Sequence, residues 1–273
     1  MSAFIHASNL TLEVPYYVQP DRVDTSWFRT LVGAATRRPQ RHFARLIDDV
    51  SFQIEEGDRI ALIGQNGAGK TTLLRILTGA FRPTHGAVSM QGSRQALLNL
   101  SLGFNPEATL IENIFLRATA MGMQASTVRG LIPAILDFAE LERLTNRRLA
   151  TLSSGQKMRL GFAISTAVQH DIMLLDEWVG AGDAAFVQKA RERLIDRVKG
   201  AKIVVVASHN DALTRQLCNR GLVMQDGKAA YLGSIKDALF FYKKMVEREK
   251  SLRRRAERAA SKAAEQALNE KTQ

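Results

Sequence analysis

The stretch GQNGAGKT, residues 64–71, combines glycines with a lysine and a hydroxyl residue at the spacing of a phosphate-binding loop. Glycines let backbone N–H groups curl inward around phosphate oxygens, where larger side chains would obstruct them. Lys70 can then reach the β and γ phosphates of a nucleotide, and the Thr71 hydroxyl can bind Mg²⁺. We therefore expect a nucleoside triphosphate to be held by Gly64, Asn66, Gly67, Gly69, Lys70, Thr71 and Thr72.

A pair of carboxylates is the second candidate for chemistry. The sequence IMLLDE, residues 172–177, reads as an apolar strand that ends in Asp176 and Glu177. At a strand terminus Asp176 can hold Mg²⁺ directly or through water, and Glu177 can polarise an attacking water. Because an acidic pair after an apolar strand is also common in turns, the pair acquires meaning only beside the phosphate loop.

The surrounding pattern indicates how these residues are positioned. RIALI, residues 59–63, predicts a buried strand before the loop, and residues 72–77 predict a helix whose positive end faces the anion. Further strands are predicted at residues 171–175, 203–207 and 221–224, whereas residues 106–146 show the apolar spacing of helices. The sequence therefore predicts a mixed α/β core interrupted by a helical insertion.

The first 54 residues predict two strands and a basic segment between them. Residues 4–14 alternate as a strand does, and we expect that strand to end at Pro15. A second strand is predicted at residues 49–54. Between the two patterns, residues 21–45 carry six arginines against two aspartates.

Composition and charge limit the class of protein. The 273 residues are 45% hydrophobic and 24% charged, as in an ordinary soluble globular protein, and no apolar run is long enough for a membrane span. The N-terminus lacks the pattern of a signal peptide, and the single cysteine, Cys218, fits a reducing cytosol. We expect the Cys218 thiol to be buried or half-buried on a helix.

The net charge of +11 is concentrated in two segments, residues 21–45 and 243–273. Basic surfaces of this kind can face water, anionic lipid or nucleic acid; the lack of interleaved aromatic residues favours the first two over nucleic acid. Residues 243–273 are rich in Ala, Glu, Lys and Arg, which predicts an exposed charged helix that frays into disorder. A partner-bound or coiled-coil helix is the alternative.

A third motif gives a resemblance to a known family. LSSGQ, residues 152–156, resembles the LSGGQ signature of ATP-binding-cassette (ABC) ATPases, with Ser154 in place of the first glycine. The resemblance implies an α/β fold: a RecA-like phosphate-loop core, an antiparallel β subdomain and a helical subdomain. It also implies that Ser153, Ser154, Gly155 and Gln156 contact the ATP held by a second copy of the chain, in a head-to-tail dimer.

The same resemblance assigns further residues. Gly182 and Asp183 resemble the loop that communicates between the two nucleotide sites, and His209 resembles the switch histidine at the γ phosphate. An aromatic residue is expected to stack on adenine: Tyr17 is favoured, with Tyr16 as the alternative. The glutamine that usually helps to bind Mg²⁺ is absent, and Asn99 lies near its place.

Several stretches, including GFNPEATLIENI and SSGQKMRLGFAI, resemble the subfamily that powers export of capsule, O-antigen and teichoic acid. The resemblance implies Mg²⁺-dependent ATP hydrolysis at the cytoplasmic face of the inner membrane, a separate membrane permease and a lipid-linked glycan as substrate. We expect an ATPase domain at residues 1–242, with a basic insertion at about 18–45 and a helical subdomain at about 106–165, and then a tail at 243–273. A soluble ABC ATPase acting on nucleic acid or ribosomes, or an ATP-binding regulatory subunit, are the alternatives.

Overall fold

The computed structural model describes residues 2–18, 40–97, 103–176, 184–208 and 211–270. Its strands are β1 (Phe4–Val18), β2 (Gln40–Glu55), β3 (Arg59–Ile63), β4 (His85–Gln91), β5 (Arg94–Leu97), β6 (Ile172–Asp176), β7 (Ile203–Ala207), β8 (Arg220–Gln225) and β9 (Lys228–Ser234). Its α-helices are α1 (Lys70–Leu77), α2 (Leu110–Ala120), α3 (Ala125–Ala139), α4 (Ser154–Ser165), α5 (Ala184–Gly200), α6 (Asp211–Leu217) and α7 (Ile235–Glu270). Among these helices, none is both long and apolar enough to cross a membrane.

A six-stranded sheet forms the centre, in the order β5-β6-β7-β3-β8-β9, and all its neighbouring strands are parallel except β8 and β9. On β7, Ile203, Val205 and Ala207 pack towards one hydrophobic cluster, and Val204 and Val206 pack towards the other. Both faces of the strand are therefore covered, which explains why its sequence is an unbroken apolar run. The strands predicted at residues 59–63, 171–175, 203–207 and 221–224 are confirmed to within one residue at each end.

A second sheet is antiparallel, in the order β2-β1-β4. The prediction that β1 ends at Pro15 is wrong, because β1 continues to Val18 and Pro15 pairs with Phe43 of β2. The ladder between β1 and β4 reaches only as far as Thr11, so Pro15 lies where β1 has a strand partner on one side within the described residues. A proline is tolerated there because its missing N–H interrupts no second ladder. Strand β2 begins at Gln40, nine residues before the predicted start, because it stays paired with β1 as far as Val18.

The helical insertion consists of α2, α3 and α4, which pack on one another. Helix α2 begins with a reciprocal cap: the Thr109 side chain accepts the N–H of Glu112, and the Glu112 carboxylate accepts the N–H of Thr109. Such a box satisfies two backbone donors that the first helical turn leaves without partners. The rings of Phe138, Phe162 and Phe186 join α3, α4 and α5 in one aromatic cluster.

The C-terminal segment is one 36-residue helix, α7. Its first turn lies so close to β8 that a Cβ atom added at Gly221 would stand 2.5 Å from the Cβ of Ala238. Phe241 stacks on Tyr231 of β9 with 5.2 Å between ring centroids, and Met245 packs on the core. The boundary expected at residue 242 thus falls inside a continuous helix, and α7 extends to Glu270 where fraying was expected.

Candidate functional site

The phosphate loop connects β3 to α1, and two of its glycines cannot be replaced without strain. Gly69 has φ near 100° at the start of α1, a conformation that other L-residues rarely adopt. A Cβ atom at Gly64 would lie 2.5 Å from the backbone carbonyl oxygen of Met224, which belongs to the neighbouring strand β8. The tight turn and the close approach of β8 therefore require glycine at these positions.

The side chain of Lys70 folds back over its own loop. Its Nζ donates hydrogen bonds to the carbonyl oxygens of Gly64, at 2.6 Å, and Gln65, at 2.9 Å, and the residue is only 8% exposed. The ammonium group is therefore held at the mouth of the loop, beside the N-terminus of α1. A positive charge and a helix N-terminus together form a strong site for a phosphate anion.

Thr71 and Asp176 come from distant parts of the sequence and meet beside Lys70. The Thr71 hydroxyl donates to Oδ1 of Asp176 at 3.2 Å. They meet because β3 and β6 both flank β7: Leu62 of β3 and Asp176 of β6 pair with the same residue, Ala207. A hydroxyl and a carboxylate are the oxygen donors that Mg²⁺ prefers, and here the two oxygens are close enough to bind one ion. The pair therefore fits the predicted metal.

A cavity of about 330 Å³ opens in front of the loop. Its lining contains the predicted residues Asn66, Gly67, Gly69, Lys70, Thr71, Thr72 and Asp176, together with Leu46 and Ala207. The last two were not predicted. Leu46 reaches the site because the pairing of β1 with β2 shifts between Leu12 and Glu13, and no short motif in the sequence marks that irregularity.

The arm formed by β1 and β2 also carries the two candidate residues for adenine. Tyr16 pairs with His42 and is 47% exposed, and the two rings lie 5.7 Å apart. Leu46, which lines the cavity, lies four residues after His42 on β2, at the shift in pairing. The Tyr17 backbone pairs with Arg41, one residue along, and its side chain lies outside the described residues.

The LSSGQ motif forms the exposed N-terminus of α4, which begins at Ser154. Ser153 Oγ accepts the N–H of Gln156, and Gln156 Oε1 accepts the N–H of Ser153. In that role the Ser153 hydroxyl is an acceptor, so its own hydrogen can still be donated to a ligand. Within the described part of the chain, the motif contributes nothing to the lining of the cavity at Lys70.

A buried polar cluster that was not predicted stabilises the loop leading into α2. Asn113 is fully buried on α2. Its side chain accepts the N–H of Asn105 at 2.8 Å and donates to the carbonyl oxygen of Asn105 at 2.9 Å. One turn later, Arg117 donates to Ser165 and lies over the ring of Phe104. Burial lowers the pKa of Arg117 to about 10, which still leaves it charged at neutral pH.

Comparison with known proteins identifies the family. The sequence model of the ABC transporter family matches residues 47–180. The chain is 33% identical to the O-antigen export system ATP-binding protein RfbB of Klebsiella pneumoniae over 253 residues, which cover 90% of this chain and all of RfbB. The chain belongs to the ABC transporter family. This confirms the resemblance drawn from LSSGQ and establishes an ATP-hydrolysing cassette, an assignment supported by the geometry at Lys70.

Two further relatives have related names. This ABC ATPase is 39% identical over 181 residues to the O-antigen export system ATP-binding protein RfbE of Yersinia enterocolitica, covering 66% of the chain and 76% of RfbE. It is 31% identical over 249 residues to the teichoic acids export ATP-binding protein TagH of Bacillus anthracis, covering 91% of the chain. The match spans only 44% of TagH.

Solved structures confirm the predicted ABC fold. An ATP-binding subunit of an ABC transporter superposes with a TM-score of 0.64 at 21% identity, covering 88% of this chain and 94% of the other. The cassette MJ0796, in a dimeric post-hydrolysis state bound to ADP and phosphate, gives 0.61 at 22% identity, covering 85% and 98%. At these identities the likeness concerns the fold.

Besides Gly182, four predicted site residues of the ABC ATPase lie outside the described residues: Asn99, Glu177, Asp183 and His209. The described chain ends beside two of them. Asp176, the last residue of β6, precedes Glu177, and Ala207, which lines the cavity, lies two residues before His209. The roles of all four stay predictions.

Proposed function

We propose that this chain is the ATPase subunit of a transporter that exports a lipid-linked polysaccharide across the inner membrane. The proposal rests on the match to RfbB, which spans that export protein completely. The phosphate loop, with Lys70 and the Thr71–Asp176 pair, is arranged to bind a nucleotide. These relatives favour export over the alternative of an ATPase that acts on nucleic acid or ribosomes. Capsule, O-antigen and teichoic acid are the substrate classes at issue.

Nucleotide binding uses the loop, α1 and the arm of the antiparallel sheet. Lys70 exchanges its bonds to the carbonyls of Gly64 and Gln65 for the β and γ phosphates, and the N–H groups of the loop surround the phosphate oxygens. The base lies against the arm, with Tyr17 as the favoured stacking residue and Tyr16 as the alternative. Tyr16 pairs with His42 and is 47% exposed, which supports the alternative.

Hydrolysis is carried by residues at the carboxyl ends of β6 and β7. Thr71 and Asp176 would hold Mg²⁺, with Asn99 as a further oxygen donor, and the ion would supply positive charge beside the phosphates. Glu177 polarises the attacking water, and His209 contacts the γ phosphate. Substituting Asp176→Asn should weaken the Mg²⁺ dependence of ATP binding, measured by titrating a fluorescent ATP analogue with and without Mg²⁺.

Each site is completed by a second copy of the chain. Ser153, Ser154, Gly155 and Gln156 lie at an exposed helix N-terminus away from the cavity at Lys70, so within one chain they serve no nucleotide there. Their exposed donors suit the γ phosphate on a partner chain, with Asp183 linking the two sites. Dimeric MJ0796 cassettes have the same fold.

The membrane-spanning part of the transporter is a separate permease. Its docking site is the surface of the helical insertion around residues 104–106, where Asn113 and Arg117 stabilise the loop. The chain would then lie peripherally at the cytoplasmic face of the membrane. ATP closes the dimer and hydrolysis reopens it, and the permease follows these two states.

The central test is Glu177→Gln. The variant should bind ATP with unchanged affinity, lose hydrolysis by at least about 100-fold and accumulate as a closed dimer in size-exclusion chromatography with ATP and Mg²⁺. Glu142→Gln, on the exposed surface, is the matched control and should behave as wild type. Undiminished hydrolysis would exclude Glu177 as the base, and no hydrolysis in the wild type, alone or with its permease, would support a regulatory subunit.

The substrate is tested in cells. Loss of the chain should leave a lipid-linked glycan accumulated on the cytoplasmic side, and a plasmid copy should restore the surface polysaccharide. The Lys70→Ala variant should fail to restore it. Normal surface polysaccharide without the chain would refute the assignment to export.

A further inference from the structure

The C-terminal helix α7 makes a direct contact with the phosphate loop. Glu249 accepts a hydrogen bond from Gln65 Nε2 at 2.5 Å through one carboxylate oxygen. Its other oxygen accepts a hydrogen bond from Gln225 Nε2, at the end of β8, at 2.6 Å. Both oxygens of one half-buried carboxylate are therefore used to join three separate elements: the loop, a strand of the central sheet and α7.

This contact leads to Lys70 through one residue. Gln65 donates its side-chain amide to Glu249, and its backbone carbonyl accepts the Nζ of Lys70 at 2.9 Å. The position of Gln65 thus helps to set the position of the ammonium group before the phosphates replace this bond. On the other side of the loop, β8 approaches Gly64 through the carbonyl of Met224.

The helix is rigidly placed, so it can hold the loop. Ala238 is fully buried against Gly221, and the ring of Phe241 stacks on Tyr231. Met245 and Glu249, one turn apart, border a gap of about 160 Å³ between α7 and the loop. A carboxylate fixed in this way costs little further entropy when it fixes a neighbouring side chain.

We infer that Glu249 is a positioning residue for the ATPase, which holds the first half of the phosphate loop in its nucleotide-binding shape through Gln65. We expect the effect on binding, because Glu249 contacts the loop that receives the phosphates. Loss of a charge-assisted hydrogen bond at a partly exposed position should weaken ATP binding about fivefold. The KM for ATP should rise by about the same factor, with kcat within about twofold.

The test uses Glu249→Ala in the full chain, with a fluorescent ATP analogue for the Kd and a steady-state assay for kcat and KM. Glu247→Ala is the matched control, since Glu247 is exposed on the same helix and lines only an open groove with Lys250 and its neighbours. The control should leave the Kd unchanged. An equal loss in both variants, or a Kd within about twofold of wild type in Glu249→Ala, overturns the inference.

A double-mutant cycle separates positioning from general destabilisation. If Glu249 acts through Gln65, the variant Gln65→Ala with Glu249→Ala should bind about as weakly as either single variant, whereas independent effects would multiply to about 25-fold. Glu249→Gln keeps an oxygen acceptor and should retain part of the affinity. Tighter ATP binding in both Glu249 variants would instead show that the carboxylate acts only by repelling the phosphates, and would refute a positioning role.

These outcomes are independent of the exported substrate. Nucleotide affinity is measured on the isolated chain, so the export assignment can fail while the role of Glu249 holds. Equally, the role of Glu249 can fail while the export assignment holds.

Discussion

Replacing Asn113 by alanine should destabilise the loop that leads into the helical insertion. The Asn113 side chain is fully buried and makes four hydrogen bonds to the backbone of that loop, with the two hydrogens of Nδ2 shared among three carbonyl oxygens. It accepts the N–H of Asn105 and donates to the carbonyls of Asn105, Ala108 and Thr109, at 2.9 to 3.1 Å. Alanine removes all four bonds and leaves a small void.

The size of the expected loss in stability depends on what replaces these hydrogen bonds. A hydrogen bond contributes about 0.5–1.5 kcal/mol net, and a buried group left without a partner costs about 1–3 kcal/mol. The loop is only part-buried, so its carbonyls can regain water after a small movement. We therefore expect a loss of about 3 kcal/mol in the free energy of unfolding, or about 6–12 °C in Tm for a chain of this size.

Urea unfolding followed by circular dichroism measures the loss. Glu107→Ala is the matched control in the same loop: its carboxylate pairs with Arg148 at the surface, where both side chains are more than half exposed, so its loss should cost under about 0.5 kcal/mol. Asn113→Asp should be less stable than Asn113→Ala at pH 7, because an ionised carboxylate would face three carbonyl oxygens. ATP affinity of the folded variants should stay within about twofold.

A loss below about 1 kcal/mol in Asn113→Ala would refute the reasoning, since the bonds would then contribute no more than exposed ones do. An Asn113→Asp variant as stable as Asn113→Ala would equally contradict it. It would mean that water reaches the Asn113 site in spite of its full burial.

Gly64→Ala should weaken ATP binding at least about tenfold with the fold retained, because its Cβ would meet the carbonyl of Met224 at 2.5 Å, whereas Gly130→Ala, in open space on a helix, should leave the Kd unchanged. The backbone N–H and the hydroxyl of Thr109 at the helix cap lower the pKa of Glu112. The ionised carboxylate therefore gives its full stabilisation above the usual pKa of a glutamate, and this stabilisation is lost as the pH falls through the lowered pKa of the folded state. The difference in urea midpoint between wild type and Glu112→Gln should therefore narrow from about pH 6 to about pH 3. Burial raises the pKa of Cys218 to about 12, so its reaction with a disulfide reagent at pH 8 should be at least about 100-fold slower in the native protein than in urea.

The local parts of the fold could be predicted from the sequence, because their causes are local. Gly69 is dictated by a tight turn within one stretch, and the apolar run at Ile203–Ala207 requires a strand covered on both faces. The prediction that β1 ends at Pro15 was wrong because the effect of this proline is not local. Whether a proline ends a strand depends on how many neighbours that strand has, which is a property of the whole sheet.

The long-range parts of the site could be named but not assembled from the sequence. Thr71 and Asp176 were each predicted as Mg²⁺ ligands, yet their 3.2 Å contact depends on both flanking strands pairing with β7. Leu46 and Glu249 could not be predicted at all, because neither has a local pattern that sets it apart. Leu46 depends on an irregularity between two strands, and Glu249 is one of several glutamates in a charged segment.

The position of Glu249 also changes what the charged C-terminal segment means. Composition suggested a solvated tail, and most of its described side chains after Met245 are exposed. One carboxylate on the inner face of the same helix nevertheless reaches the loop that binds ATP. Ala238 and Phe241 fix the start of α7 on β8 and β9, so the contact at Glu249 joins a firmly packed helix to the loop. The charged segment therefore reaches the nucleotide site through Gln65.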